Sequence, residues 1–153
     1  MPIPSLLPNG LLPPGLHEAT LQEVARIFGS SNERRQRLQR GLEEVARAAR
    51  STDLFTDIIV DGSFVTNAEL PGDVDVVLRT RGEYWSAVIP LERDPEGKWL
   101  TDHDEVKQRL GVQLFIEDAA GTMPDFFALL KPEEALERGV SPTTQRGLIR
   151  VAL

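Results

Sequence analysis

The chain has 153 residues, a net charge of -7, 41% apolar and 27% charged residues, a balance that lets one ordinary domain bury a core and excludes a fibrous or disordered chain. It contains no cysteine, which excludes disulfide scaffolds, thiol catalysis and cysteine-held zinc and fits a reducing, cytoplasmic setting. The acidic balance argues against a broad nucleic-acid-binding face, although backbone amides and a metal ion still allow a small phosphate ligand.

Residues 1–16 (MPIPSLLPNGLLPPGL) are too rich in proline for a helix or a central strand. They read as an extended arm at the start of a single 1–153 domain, with leucines lying along it. The same prolines break the apolar run that a signal peptide requires, and nowhere do 18 apolar residues run together to span a membrane. Thr20 and Glu23 form a capping box, followed by Leu21, Val24 and Phe28 on one face, with Gly29 as the stop. A second box, Ser30 with Glu33, opens a longer helix to about Arg50, with Leu38, Leu42, Val45 and Ala49 as its apolar stripe. Arg34, Arg35, Arg37, Arg40, Arg47 and Arg50 read as its solvated face, paired with Glu43 and Glu44 rather than reserved for RNA or an acidic protein.

Phe55–Val60 (FTDIIV) and Asp73–Leu78 (DVDVVL) read as the first two strands, joined by a Gly-, Asn- and Pro-containing connection from Gly62 to Gly72. Tyr84–Trp99, interrupted by Pro90, Pro95 and Gly97, reads as a short irregular piece or a hairpin, with a turn at Asp94–Gly97. Leu100–Arg109 looks helical, Val112–Glu117 (VQLFIE) is a third strand, Pro132–Arg138 a helix with proline at its first position, and Gly147–Leu153 a closing strand. The expected class is α/β or α+β, one mixed sheet preceded by two helices and the arm.

The segment Asp61–Leu78 (DGSFVTNAELPGDVDVVL) carries the chemistry. Residues two apart on a strand share a face, so Asp73 and Asp75 point the same way while Val74, Val76 and Leu78 enter the core. Adjacent carboxylates raise each other's pKa, and a hard divalent cation is the usual resolution. A glycine just past a strand lets a ligand approach the backbone, and the amide and hydroxyl of Ser63 can donate to phosphate oxygens. Turn chemistry accounts for Asp73 but not for Asp75 within a strand.

Residues Asp61, Gly62, Ser63, the nine-residue spacer and Asp73-Val74-Asp75-Val76 resemble the signature of the nucleotidyltransferase superfamily, the fold of DNA polymerase beta. That signature is a hydrophobic residue, Gly, then Gly or Ser, a spacer, and an Asp-x-Asp or Asp-x-Glu strand; Asp61 departs from its hydrophobic position. LPPGLHEATLQEV, GSFVT, PGDVDVV and RGLIRV are also similar to a family of small, functionally uncharacterised bacterial nucleotidyltransferase-like proteins. The resemblance implies a minimal nucleotidyltransferase fold, phosphate binding by Gly62 and Ser63, Mg²⁺ or Mn²⁺ held by Asp73 and Asp75, and catalysis by those two carboxylates.

Active members of the superfamily add a third carboxylate from a neighbouring strand. On Val112–Glu117 the matching position is Gln113, which is neutral and cannot act as a base; Glu117 shares its face and would serve if the strand ran antiparallel to Asp73–Leu78. His103, between Asp102 and Asp104, reads as part of an acidic helix start and His17 as structural. Surface charge is the expected role of Arg79, Arg81 and Lys107, ahead of neutralising a triphosphate. The expected function is transfer of a nucleoside monophosphate from an NTP, with ATP the leading candidate, to a protein, RNA or small-molecule acceptor. The alternative is a catalytically weakened binding module, such as an antitoxin-like protein partner.

Overall fold

A computed structural model describes residues 2–153, with the backbone alone at 126. Helix α1 (Leu21–Phe28) starts as its sequence predicts, with the Thr20 hydroxyl accepting from the Glu23 amide at 3.1 Å. Helix α2 (Glu33–Thr52) is capped differently from expectation. The Asn32 carbonyl accepts from the Arg35 amide at 2.8 Å, and the same side chain donates to the Glu69 carbonyl, also at 2.8 Å. That tertiary bond favours Asn32 over Ser30, whose hydroxyl turns back to the Arg26 carbonyl.

Leu38, Leu42, Val45 and Ala49 bury as the periodicity requires. Arg34, Arg37, Arg40, Arg47 and Arg50 are exposed, but Arg35 is buried on the inner side. Among the described residues no ion pair joins the exposed arginines to Glu43 or Glu44.

Five strands form one mixed sheet: β1 (Gly15–Glu18), β2 (Phe55–Asp61), β3 (Val74–Thr80), β4 (Val112–Glu117) and β5 (Gly147–Ala152). Their spatial order is β1-β5-β2-β3-β4. β2 runs antiparallel to both β3 and β5, whereas β1 is parallel to β5 and β4 is parallel to β3. The end of the arm thus becomes an edge strand, where its preceding prolines do no harm to the ladder. The architecture is α+β, and four more helices complete it: α3 (Tyr84–Arg93), α4 (His103–Leu110), α5 (Met123–Phe127) and α6 (Pro132–Arg138).

Helix α3 replaces the irregular piece or hairpin expected there. Pro90 removes one helical hydrogen bond, yet Ala87, Val88 and Leu91 recur at helical spacing and bury against the core, which offsets the loss. The chain then turns at Asp94–Gly97 and passes a short 3-10 segment, Lys98–Thr101, before α4.

Strand alternation sorts the core into two layers. Ile58, Val60, Val74, Val76, Leu78, Val112, Leu114, Ile149 and Val151 face α1 and α2 in the main core. On the other face a smaller cluster of Ile59, Val77 and Leu148 is covered by Phe115, Met123 and Phe127. Leu11 of the arm packs with Leu130 and Ala135 beside α6. The second face is apolar only in its middle row; acids and arginines occupy both ends. Among the described residues no helix is long and apolar enough to cross a membrane.

Candidate functional site

The second face ends, at the C-terminal edge of β2, in the residues the sequence singles out. Gly62 leaves the strand at φ +87° and ψ -168°, backbone that L side chains rarely adopt. A Cβ at this position would lie 2.5 Å from Asp75 Oδ2. The glycine therefore admits the Asp75 carboxylate against the backbone, a closer and more local reason for glycine than ligand approach alone. Ser63 opens a 3-10 turn, Ser63–Val65, whose carbonyl end is closed by the Thr66 amide and hydroxyl at 3.2 and 2.7 Å. Ser63 also lines an open cleft of about 650 Å³ with Asn67, Lys131, Glu133, Glu134 and Glu137.

Asp75 lies within β3 and Asp73 just before it. Burial, with the Asp73 charge next in weight, pushes the Asp75 carboxyl up to about 6. Asp73 is more open and has Lys107 Nζ 3.7 Å from Oδ2. Gly62, Ser63, Asp73 and Asp75 thus meet at one end of the sheet, but Asp73 and Asp75 do not line the large cleft beside Ser63.

The spacer between them is held from α2. The buried Arg35 guanidinium donates to the carbonyls of Phe28 (3.0 Å), Phe64 (2.6 Å) and Thr66 (2.9 Å), and to that of Ala68. Arg34 adds a bond to the Pro71 carbonyl at 3.2 Å. Four carbonyl partners satisfy the buried cation without a carboxylate, and the three from Phe64, Thr66 and Ala68 fix the loop that separates Ser63 from Asp73. The sequence does carry a sign of this: Arg35 lies three residues before Leu38, on the apolar stripe rather than opposite it.

The third-carboxylate expectation is corrected by the direction of β4. Because β4 is parallel to β3, Gln113 stands beside Asp75 and Glu117 beside Arg79. Glu117 is four residues further along the sheet, roughly 13 Å away at strand rise. There its Oε2 accepts from the Met123 amide at 3.2 Å and burial raises its pKa. It does not belong to the Gly62–Asp75 end. Arg79 is likewise committed elsewhere, to Asp57 at 2.7 and 2.9 Å, and Arg81 to Asp53. His103 Nδ1 and His17 Nε2 each contact a backbone carbonyl at 2.6 Å, of Leu114 and Pro13, as structural histidines do.

The carboxylate that the structure does bring to Asp75 is Asp61, directly opposite it across the β2–β3 pair. Asp61 is fully buried and neither of its oxygens has a partner at good hydrogen-bond geometry, the Gly62 amide being near enough only for a weak contact. Burial pushes its carboxyl up to about 7; the neighbouring Gly62 amide and then the Arg146 charge oppose this, and Asp75 adds to it. Arg146 Nε stands 3.8 Å from Asp61 Oδ1, an ion-pair distance too long for a hydrogen bond. In the sequence Asp61 stands out only as a departure from a hydrophobic position, with no role attached.

Among the described residues no three His, Cys, Asp or Glu side chains stand close enough together to hold a metal ion as they are. The donor chemistry nonetheless suits a hard cation. Asp61 Oδ1 and Oδ2 and Asp75 Oδ1 are buried oxygens without a well-formed hydrogen bond, and Mg²⁺ is typically held by one or two carboxylates, with waters and phosphate completing its shell.

Fold and site together define an α+β protein with a carboxylate-rich end built on a strand, a Gly-Ser turn and a neighbouring strand. The chain belongs to DUF6932, a family of unknown function, whose profile matches residues 4–152. Searches of curated proteins and of solved structures find no match.

Proposed function

We propose that this chain is a Mg²⁺-dependent, nucleotidyltransferase-like protein that binds an NTP at the Gly62-Ser63 turn and the Asp73–Asp75 strand. The observation that carries the reading is the close seating of Asp75 against Gly62, next to Ser63, which puts phosphate donors and an acidic pair at one sheet end. Asp73 and Asp75 would hold the metal, which in such sites neutralises charge on the transferring phosphoryl group. The Ser63 amide and hydroxyl would hold phosphate oxygens, and Arg35 would keep the intervening loop in place. In nucleotidyl transfer an acceptor oxygen bonds to the α-phosphorus, the bond to the β-phosphate oxygen breaks, and pyrophosphate leaves.

Gln113 favours a second reading. A neutral amide beside Asp75 can orient a group but cannot take a proton, so a protein that binds Mg²⁺-NTP with little turnover, serving as a binding module, is the alternative. Thermal denaturation with Mg²⁺ and each NTP tests both, since a ligand that binds only the folded state raises its stability. The expected result is a nucleotide-dependent shift that Asp73→Asn with Asp75→Asn abolishes; an undiminished shift in that double variant removes the site assignment. Pyrophosphate release with candidate acceptors then separates enzyme from module.

A further inference from the structure

We propose that Asp61 and Asp75, facing each other across β2 and β3, form a hard-cation site in which Asp61 takes the part that a carboxylate on β4 would otherwise take. The inference rests on the metal-dependent reading of this sheet end and changes which side chains serve it. Residues directly opposite in an antiparallel pair share a face, with Cβ atoms about 4.5–5.5 Å apart, so the Asp61–Asp75 register puts two carboxyl groups on one small area. Asp73, by contrast, precedes β3 and already has Lys107 at 3.7 Å.

The independent sign of a ligand is the state of Asp61. A side chain with 0% exposure whose two oxygens have no well-formed hydrogen bond, only a weak contact from the Gly62 amide, is costly to keep, because a buried polar group so poorly satisfied forfeits its hydration. Asp75 Oδ1 is buried and without a partner. Arg146 does not resolve the deficit. Its Nε and Nη2 donate at 3.2 Å to the Phe127 carbonyl and to Glu134, its Nη1 has no partner, and it approaches Asp61 no closer than an ion-pair distance.

The same strand shows what a neutralised aspartate looks like: Asp57 receives hydrogen bonds from two arginines. Open oxygens at Asp61 and Asp75 suit a small divalent ion with oxygen ligands. Two carboxylates leave its remaining positions to water or phosphate, as Mg²⁺ prefers.

The test uses Mn²⁺ alone, without nucleotide, on the full chain. Thermal denaturation should show a Mn²⁺-dependent rise for wild type. Asp61→Asn and Asp75→Asn should each weaken apparent Mn²⁺ affinity by more than about tenfold, at least the loss typical of removing a supporting residue around a metal. Glu117→Gln should retain the wild-type response. If Asp61→Asn keeps it while Asp75→Asn loses it, the inference is overturned and the proposed function stands. If wild type gives no response to Mn²⁺ with or without NTP, both fall. Amide NMR of wild type keeps the question answerable should Asp61→Asn fail to fold. Mn²⁺ should broaden Asp61, Gly62 and Asp75 first, whereas broadening confined to Asp73 and its α4 neighbours overturns the inference.

Discussion

Asp57 and Asp61 lie four residues apart on β2, on the same face of the sheet, and both are buried. Their surroundings are opposite. At Asp57, Arg79 donates through two nitrogens and Arg150 through a third, at 2.7, 2.9 and 2.8 Å, and Arg150 also reaches Glu18 on β1. Burial would raise the Asp57 pKa, but the bonds and charges of the two arginines outweigh it and hold the carboxyl below its ordinary value. At Asp61 burial wins over the Gly62 amide and the Arg146 charge, since Arg146 is not in hydrogen-bond contact. One end of the face uses its charges to join β1, β5, β2 and β3. The other leaves acid oxygens open beside a Gly-Ser turn. The first arrangement is what a fold needs for stability; the second weakens the fold unless a ligand occupies it.

The comparison breaks most visibly at Asp57. Asp57→Ala leaves Arg79 and Arg150 facing each other without their shared counter-charge. Removing one partner from a buried ion pair costs about 3–5 kcal/mol, so a loss of about 3 kcal/mol is expected in urea denaturation. A loss below about 1 kcal/mol would mean that the network is ornamental.

Asp61→Asn should act in the opposite direction. The folded-state pKa of Asp61 is raised from 3.8 to about 7, so between those values the fold holds a proton that the unfolded chain has released. Stability then falls as pH rises through this window, and the deficit is complete above about 7. At 1.36 kcal/mol per unit the shift bounds the effect at roughly 4 kcal/mol. Measured in EDTA, Asp61→Asn should be more stable than wild type by about 1–3 kcal/mol at pH 8 and nearly equal to it at pH 4. Asp57 has the reverse sign. Its pKa is depressed, so its contribution is present above the ordinary carboxylate pKa and is lost as pH falls through the folded value. A variant destabilised equally at both pH values would show that Asp61 is an ordinary structural acid.

Gly62→Ala has an expected cost of about 1–3 kcal/mol, since φ +87° with ψ -168° is backbone that essentially only glycine adopts. It also forces Asp75 Oδ2 away, since the new Cβ would lie 2.5 Å from it. The Mg²⁺-NTP thermal shift should fall more than the stability does. If both stay at wild-type level, the close seating of Asp75 has no part in binding.

Much of this was legible in the sequence, for identifiable reasons. β2 and β3 announce themselves by alternation and by the turn residues between them, and the same local pattern brings Asp75 to Gly62 without any long-range information. α3 was obscured by Pro90, a strong local breaker, because burial of Ala87, Val88 and Leu91 is a tertiary effect. The company of arginines around Arg35 suggests an outward side chain, although its phase on the helix points inward. The role of Gln113 depended on strand direction, which side-chain alternation does not encode. The connection from 81 to 111 did encode it: a crossover of that length containing helices is what a parallel neighbour requires, whereas antiparallel neighbours are typically joined by short turns. Asp61 stood out as a misfit, but only pairing with β3 shows what it faces.

Glu117→Gln should have the smallest effect, and it sharpens the comparison because Glu117 was the sequence's choice for the missing carboxylate. Parallel pairing places it beside Arg79, at the Asp57 end of the face. There its oxygen accepts from the Met123 amide, a bond that a glutamine carbonyl can also accept. The substitution therefore removes a charge that burial disfavours, keeps the contact and leaves the buried second oxygen position polar, so a stability change within about 1 kcal/mol is expected. Neither the Mg²⁺-NTP thermal shift nor any pyrophosphate release should change. Gln113→Asp is the paired control, since it adds a carboxylate beside Asp75, where general-base catalysis is worth about 10²–10⁴ in rate when the base is well placed. A gain in release for Gln113→Asp with no loss for Glu117→Gln would assign the chemistry to the Asp61–Asp75 end. A large loss for Glu117→Gln would instead require β4 to lie in another register in solution, and would undo the contrast between the two ends of the face.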